Sequence, residues 1–217
     1  MSDTTETILA AIGRTRVLPV IALNDAARAR GLADALLAAD LPLMEITLRT
    51  PAALDAIRAV ADVPGMTVGA GTVIDAEQVD LAAAAGARFV VSPGLSDEVV
   101  GRCATHGLTC FPGVATPSEI MHALGLGLTT LKLFPASTIG GPGAVKALSA
   151  PFPQVRFIPT GGIGVGDAPD YLALGSVLAV GGSWMVPTSA IDAGEFATVQ
   201  RLAAEAVAMA RDEEDAE

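Results

Sequence analysis

Lys132 is a charged residue in an apolar stretch, where a charge is costly unless it has a partner or a function. It stands in the segment Thr129–Phe134 and is one of only two lysines in the chain. Burial disfavours the ammonium form, and the neutral amine is a nucleophile for carbonyl carbon. The pattern predicts a lysine whose amine attacks a carbonyl carbon. The alternative is an inward-facing lysine that only makes an internal salt bridge.

A second charge, Glu45, lies in the apolar segment Leu43–Leu48. A buried carboxylate is a candidate general acid and base, because burial raises the pKa of a carboxyl group toward the working pH. The alternative is that Glu45 only neutralises Lys132. Arg49 follows at the end of the same segment and could bind a carboxylate through two parallel hydrogen bonds. It could equally be a surface arginine at a strand end.

Small-residue turns follow four of the predicted strands, at Gly69–Thr72, Ser92–Gly94, Thr160–Ile163 and Gly181–Trp184. A pair of glycines lets backbone N–H groups approach an anion, although one pair alone is equally compatible with a tight turn. Two pairs after the seventh and eighth strands, with the hydroxyl of Ser183, predict a phosphate site.

The elements that would position these residues alternate regularly along the chain. Eight short apolar runs predict strands: Val17–Leu23, Leu43–Leu48, Met66–Gly69, Phe89–Ser92, Thr109–Pro112, Thr130–Phe134, Arg156–Pro159 and Val177–Val180. Segments with helical spacing lie between them: Asp25–Ala39, Pro51–Ala61, Asp75–Ala85, Ser96–His106, Pro117–Gly125, Gly143–Ser149 and Asp167–Leu174. A last helical segment, Glu195–Arg211, follows the eighth run. Asn24-Asp25, Thr50-Pro51, Asp75 and Thr116-Pro117 resemble helix starts, and Gly86, Gly107 and Gly127 resemble helix ends.

Strand–helix alternation repeated about eight times favours a single-domain (β/α)₈ TIM barrel. An open doubly wound sheet is the alternative, but its G-x-G-x-x-G signal is absent after the first strand. We expect an extra N-terminal helix over Thr4–Ile12 that covers the bottom of the barrel. Residues 1–211 are predicted to form one domain, and the acidic residues 212–217 a disordered tail.

In such a barrel, alternate residues of a strand face the interior and the helices. Leu131 and Leu133 suit the helix side, so Lys132 should point inward. The same alternation places Glu45 in the interior together with Leu43 and Thr47. Barrel active sites lie at the C-terminal ends of the strands, where Arg49 and the glycine turns are found.

The composition excludes several classes of function. A formal net charge of −11 disfavours binding to nucleic acid or to an anionic membrane, so a phosphorylated substrate would need a local site. No signal peptide is recognisable in residues 1–13, and we expect a cytoplasmic protein.

The two cysteines, Cys103 and Cys110, are predicted to be buried thiols. The two histidines, His106 and His122, read as surface or packing residues, so no metal site is predicted.

Seven segments together resemble the 2-keto-3-deoxy-6-phosphogluconate (KDPG) and 4-hydroxy-2-oxoglutarate (KHG) aldolase family. They keep the order of the family and extend over nearly the whole chain: Leu18–Ile21, Met44–Thr50, Val68–Val73, Val91–Gly94, Leu131–Ala136, Thr160–Ile163 and Gly181–Trp184. One departure is Ser137, where many relatives carry glutamate; it affects expectations of specificity and not of chemistry.

The resemblance implies a class I aldolase that needs no metal or other cofactor and assembles as a homotrimer. It implies cleavage of KDPG to pyruvate and glyceraldehyde 3-phosphate, and also cleavage of KHG to pyruvate and glyoxylate. Lys132 would form the Schiff base and Glu45 would move protons. Arg49 and Thr72 would bind the carboxylate of the substrate. The remaining predicted site residues are pocket residues, Pro93, Phe134, Thr160 and Gly181, and phosphate-binding residues, Gly161, Gly162, Gly182 and Ser183.

Three other readings stay open at this point. A related aldolase could act on 2-keto-3-deoxy-6-phosphogalactonate instead. A phosphate-binding barrel isomerase would share the glycine turns but would not need an inward lysine on the sixth strand. A non-catalytic barrel could bind a phosphorylated metabolite or a protein, although such a protein would have no reason to keep both Lys132 and Glu45 buried.

Overall fold

The structure is a computed structural model and describes residues 3–212. Nine strands are present: β1 Val17–Ile21, β2 Leu43–Thr47, β3 Thr67–Gly71, β4 Phe89–Val91, β5 Thr109–Phe111, β6 Gly113–Val114, β7 Thr130–Leu133, β8 Arg156–Pro159 and β9 Val180–Gly182. Every predicted strand overlaps one of them. Strands β5 and β6 are the two halves of the fifth barrel strand, interrupted at Pro112, which has no N–H for the ladder.

All paired strands are parallel, and together they curl into a closed ring. One sheet has the order β5-β4-β3-β2-β1-β9, and the other has the order β6-β7-β8. The chain itself joins them on one side through Pro112, and bridges between Phe157 and Val177 and between Thr160 and Gly181 join them on the other. The predicted (β/α)₈ barrel is therefore confirmed.

Ten α-helices surround or close the ring within the described residues: α1 Asp3–Thr15, α2 Ala29–Ala38, α3 Ala53–Val60, α4 Ala76–Ala84, α5 Asp97–His106, α6 Pro117–Gly125, α7 Gly141–Ser149, α8 Ala168–Leu172, α9 Thr188–Ala193 and α10 Phe196–Asp212. The predicted extra helix is α1. The six-residue helix α9 was not predicted. Helix α10 continues to Asp212, one residue into the predicted tail, and the rest of that tail, 213–217, lies outside the described residues. None of the helices between residues 3 and 212 has the length and apolar character needed to cross a membrane.

Most predicted helix starts are true caps, but Thr50 is not. The side chains of Asp75 and Thr116 accept from the backbone N–H three residues on, and Asp25 caps the one-turn 3₁₀ helix Ala26–Arg28 before α2. Helix α3 instead begins at Ala53 without a side-chain cap. The Thr50 hydroxyl donates to the carbonyl of Leu23 at 2.5 Å, so it links two strand-end loops, and it does not cap helix α3.

Two of the predicted glycine turns, Gly69–Thr72 and Gly181–Trp184, begin inside strands in the structure. Strand β3 continues to Gly71, two residues past its predicted end at Gly69, and β9 runs through Gly181 and Gly182, past its predicted end at Val180. The barrel interior explains this difference. A Cβ on Gly69 would lie 2.3 Å from the Phe89 ring, and one on Gly181 would lie 2.3 Å from Thr160 Oγ1. Here glycine makes room for neighbouring side chains and does not form a turn.

The interior of the ring changes from apolar to polar along the strands. Near the N-terminal ends, Ile8 and Ile12 of α1 plug the bottom of the barrel against interior side chains, namely Leu18, Leu43, Phe89, Val91, Phe111 and Ile158. Two residues further on, Leu43 is followed by Glu45 and Ile158 by Thr160, both still buried. The C-terminal end of the interior therefore holds polar side chains above an apolar base.

Candidate active site

Lys132 points into the barrel from β7, as strand alternation predicted. Its neighbours Leu131 and Leu133 are fully buried in the core between the strands and the helices, while Lys132 itself is only 6% exposed. The Lys132 Nζ atom lies 5.0 Å from the centroid of the Phe134 ring, which contributes an aromatic face to the same side. Lys146, the other lysine, is exposed on α7. Lys132 is thus the lysine enclosed within the barrel.

Glu45 reaches the same point from β2, on the other side of the ring. Its Oε1 atom lies 3.8 Å from Lys132 Nζ, and Glu45 is 1% exposed. Burial raises the pKa of the Glu45 carboxyl, and the positive charges of Lys132 and Arg49 oppose this shift only in part. Oε1 has no hydrogen-bond partner within residues 3–212. A carboxyl group of this kind can both hold and release a proton beside the amine.

Gly71 provides the space that the Glu45 carboxyl occupies. The two residues lie on the paired strands β2 and β3, and a Cβ on Gly71 would be 2.3 Å from Glu45 Oε1 and 2.8 Å from Glu45 Cγ. A side chain at position 71 would therefore displace the carboxyl group before it displaced the backbone.

We expect Gly71→Ala to lower kcat by about 10- to 100-fold, because small misplacements of a catalytic group are costly. Lys132 is not displaced by this change, so the pyruvate adduct on Lys132 that the family resemblance implies should still form. The matched control is Gly101→Ala on α5, where an added Cβ meets no atom within 4 Å. Steady-state kinetics of both variants provides the measurement. A Gly71→Ala enzyme with wild-type kcat would show that the position of Glu45 does not matter.

Three further predicted residues follow the ends of β2, β3 and β4. Arg49 is exposed, and its Nε donates to the Thr47 hydroxyl at 3.1 Å. Thr72 adopts a φ of 60°, a left-handed conformation that is rare for a β-branched residue and concentrates at functional sites. Pro93 is half-buried beside them. These residues bring a guanidinium and a hydroxyl to the same end of the barrel as the Lys132 amine.

Glycines after β8 form the opposite side of the site. Gly161 and Gly162 have φ values of 100° and 72°, which glycine adopts without strain. Successive residues with such backbone can turn N–H groups toward an anion. Ser183 is exposed directly after β9 and adds a hydroxyl. The arrangement suits a phosphate group held by backbone and hydroxyl donors.

One cavity of about 270 Å³ at the C-terminal ends of the strands brings all the predicted site residues together. Its lining includes the twelve predicted residues, Glu45, Arg49, Thr72, Pro93, Lys132, Phe134, Thr160, Gly161, Gly162, Gly181, Gly182 and Ser183. Val20, Thr47 and Ile163 also line it and were not predicted as site residues. Thr47 could have been predicted as a site residue from the sequence, because strand alternation already placed its polar side chain in the interior with Glu45.

Comparison with known proteins agrees with this geometry. A family model described as KDPG and KHG aldolase matches residues 8–202. The 2-dehydro-3-deoxy-phosphogluconate aldolase of Pseudomonas aeruginosa is 47% identical over 193 residues, with 88% of each chain covered.

Two solved structures are similar over nearly their whole length. The KDPG aldolase of Zymomonas mobilis ZM4 with 3-phosphoglycerate is 44% identical, with a TM-score of 0.88 and coverage of 94% of this chain and 97% of that one. The KDPG aldolase of Legionella pneumophila, with pyruvate captured as a covalent carbinolamine intermediate, is 40% identical, with a TM-score of 0.87 and coverage of 91% and 96%. The chain therefore belongs to the KDPG and KHG aldolase family.

Proposed function

We propose that this protein is a class I aldolase that cleaves KDPG to pyruvate and glyceraldehyde 3-phosphate, and that it also cleaves KHG to pyruvate and glyoxylate. The observation that carries the proposal is the buried pair of Lys132 and Glu45, 3.8 Å apart at the base of a cavity that opens at the strand ends. The family relationship supports the reaction class, and the covalent pyruvate complex of the Legionella relative supports a Schiff-base route.

Lys132 supplies the nucleophile in this proposal. Its neutral amine attacks the C2 ketone of the substrate, and loss of water gives a protonated imine. The imine withdraws electrons from the adjacent C3–C4 bond, which breaks once the C4 hydroxyl loses its proton. The enamine that remains on Lys132 is then protonated at C3, and hydrolysis releases pyruvate and restores the amine.

Glu45 supplies the proton transfers. It accepts the proton of the C4 hydroxyl as the C3–C4 bond breaks. The raised pKa of this buried carboxyl suits a group that must take up and return a proton near neutral pH. Its place beside Nζ also suits proton transfer during formation and hydrolysis of the imine.

The rest of the cavity orients the substrate. Arg49 and Thr72 bind the carboxylate next to C2, which fixes the ketone near the amine. Gly161, Gly162 and Ser183 bind the phosphate at the far end. The net charge of −11 repels a phosphorylated substrate at long range, so this local set of donors is needed for affinity.

Side-by-side kcat/KM values on KDPG, KHG and 2-keto-3-deoxy-6-phosphogalactonate test the assignment of substrate. The proposal predicts the highest value on KDPG, with pyruvate and glyceraldehyde 3-phosphate formed in equal amounts. A higher value on the galactonate epimer would assign the chain to the alternative specificity. No cleavage of any of the three would contradict the aldolase assignment and leave a barrel isomerase and a non-catalytic barrel as the alternatives.

We expect Ser183→Ala to raise KM for KDPG roughly tenfold, because the phosphate loses one hydroxyl donor. The half-saturating concentration of pyruvate for adduct formation should stay unchanged, since pyruvate has no phosphate. Ser189→Ala, an exposed serine on α9, is the matched control. Equal effects of Ser183→Ala on KDPG and on pyruvate would contradict a phosphate role for Ser183.

We further propose that residues 1–211 act as one domain, that three copies assemble into a homotrimer, and that the enzyme works in the cytoplasm. Family resemblance supports the trimer. Exposed apolar side chains on the described chain, Ile74, Met121 and Val165, are a physical reason for association. Light scattering after size exclusion should give a mass three times that of one chain, and a monomer mass would contradict this assembly.

A further inference from the structure

Thr47 holds two hydrogen bonds at the wall of the active-site cavity. It follows Glu45 by two residues on β2, faces the same interior, and is 1% exposed. Its hydroxyl donates to the carbonyl of Ile21, the last residue of β1, at 2.8 Å. The same oxygen accepts from Arg49 Nε at 3.1 Å. The donation to Ile21 fixes the hydroxyl so that a lone pair faces the guanidinium.

This contact matters because Arg49 is otherwise weakly held. The side chain is exposed, and Arg49 is in none of the salt bridges found within residues 3–212. A free arginine side chain loses rotamer entropy when a ligand fixes it. A bond to Nε restricts the planar guanidinium in advance and leaves its two terminal nitrogens available for a bidentate contact.

We infer that Thr47 is a positioning residue that presents the guanidinium of Arg49 to the carboxylate of the 2-keto acid. This inference rests on the proposed function, because it assigns the ligand of Arg49 as that carboxylate. Thr47 itself touches neither the reacting carbons nor Lys132 in this account. Its effect on the reaction passes entirely through Arg49.

A purely structural role for the hydroxyl is the competing explanation. The bond to Ile21 also links β1 to β2, but those strands are already paired at Val20–Glu45 and Ile21–Ile46. The hydroxyl is therefore not needed to register the two strands. Valine has nearly the same shape as threonine without the hydroxyl, and serine keeps the hydroxyl, so Thr47→Val and Thr47→Ser form a matched pair.

The test is a double-mutant cycle on the full-length enzyme, with two readouts. One is KM and kcat on KDPG, and the other is the pyruvate concentration that half-saturates borohydride trapping. We expect Thr47→Val to raise KM and the half-saturating pyruvate concentration about tenfold, with kcat changed less than about twofold. Thr47→Ser should restore near-wild-type values. In an Arg49→Ala background, Thr47→Val should add no further loss.

Each contrary result has a distinct meaning. Equal losses from Thr47→Val with and without Arg49 would overturn the positioning role, as would a Thr47→Val enzyme with wild-type KM. Failure of Thr47→Ser to restore binding while its melting temperature stays at the wild-type value would also overturn it. Absence of a pyruvate adduct in the wild-type enzyme would instead overturn the proposed function, and with it the carboxylate as the ligand of Arg49.

Discussion

Lys132→Met is expected to abolish aldol cleavage, with a loss in kcat of roughly 10⁴-fold or more, as removal of a covalent nucleophile does in other enzymes. Methionine has a similar length and suits a buried strand position, so the barrel should still fold. Without the amine no imine forms, and the C3–C4 bond has no electron sink. Steady-state assay of pyruvate release is the measurement.

The chain offers a matched control for this change. Lys146 is the only other lysine, and it is exposed on α7 away from the cavity lining. Lys146→Met should keep wild-type kcat and KM. A Lys132→Met enzyme that retains more than a few per cent of wild-type kcat would mean that cleavage does not proceed through this amine.

Glu45→Gln is expected to lower kcat by about 10²- to 10⁴-fold, the usual contribution of a positioned acid and base. Glutamine keeps the size of the side chain but cannot accept the proton of the C4 hydroxyl. Pyruvate binding should change much less, because we propose that Arg49 and Thr72, and not Glu45, hold the carboxylate of pyruvate. Glu98→Gln, an exposed glutamate on α5, is the control and should behave as wild type. Comparable losses in turnover and in pyruvate binding would make Glu45 merely structural.

The pH dependence of the melting temperature, compared between the wild-type enzyme and Glu45→Gln, tests the raised pKa of Glu45. Burial raises the pKa of Glu45, so the folded state binds this proton more tightly than the unfolded state does. The stabilising contribution is present below the ordinary glutamate pKa and is lost as pH rises through the raised, folded-state value. The melting temperature of Glu45→Gln should therefore increase relative to wild type across that window. A difference that is independent of pH would contradict the raised pKa.

Strand alternation was sufficient to predict which charges enter the barrel. Lys132 and Glu45 each stand between apolar neighbours that pack against helices, so the inward direction followed from a period of two residues. Their convergence followed from the fold, because the C-terminal ends of all barrel strands meet at one face. The separation of 3.8 Å did not follow, since β2 and β7 are not adjacent and the distance depends on the stagger of the whole ring.

Glycine was the least reliable signal. Gly71 and Gly181 were read as turn residues, whereas they are strand positions whose missing side chains admit Glu45 and Thr160. A sequence does not distinguish these uses, because both place glycine near a strand end. Helix α9 was not predicted because it is short. It has six residues and no side-chain cap at Pro187, so neither helical periodicity nor a capping residue marks it in the sequence.

The central claim is that the Lys132 amine forms a Schiff base with pyruvate. Its most direct test is borohydride reduction of the wild-type enzyme in the presence of pyruvate, followed by mass spectrometry of the whole chain and of its peptides. We expect one reduced pyruvate adduct per chain, located on Lys132 and absent from Lys146. An active enzyme in which Lys132 is unmodified after this treatment would contradict the claim.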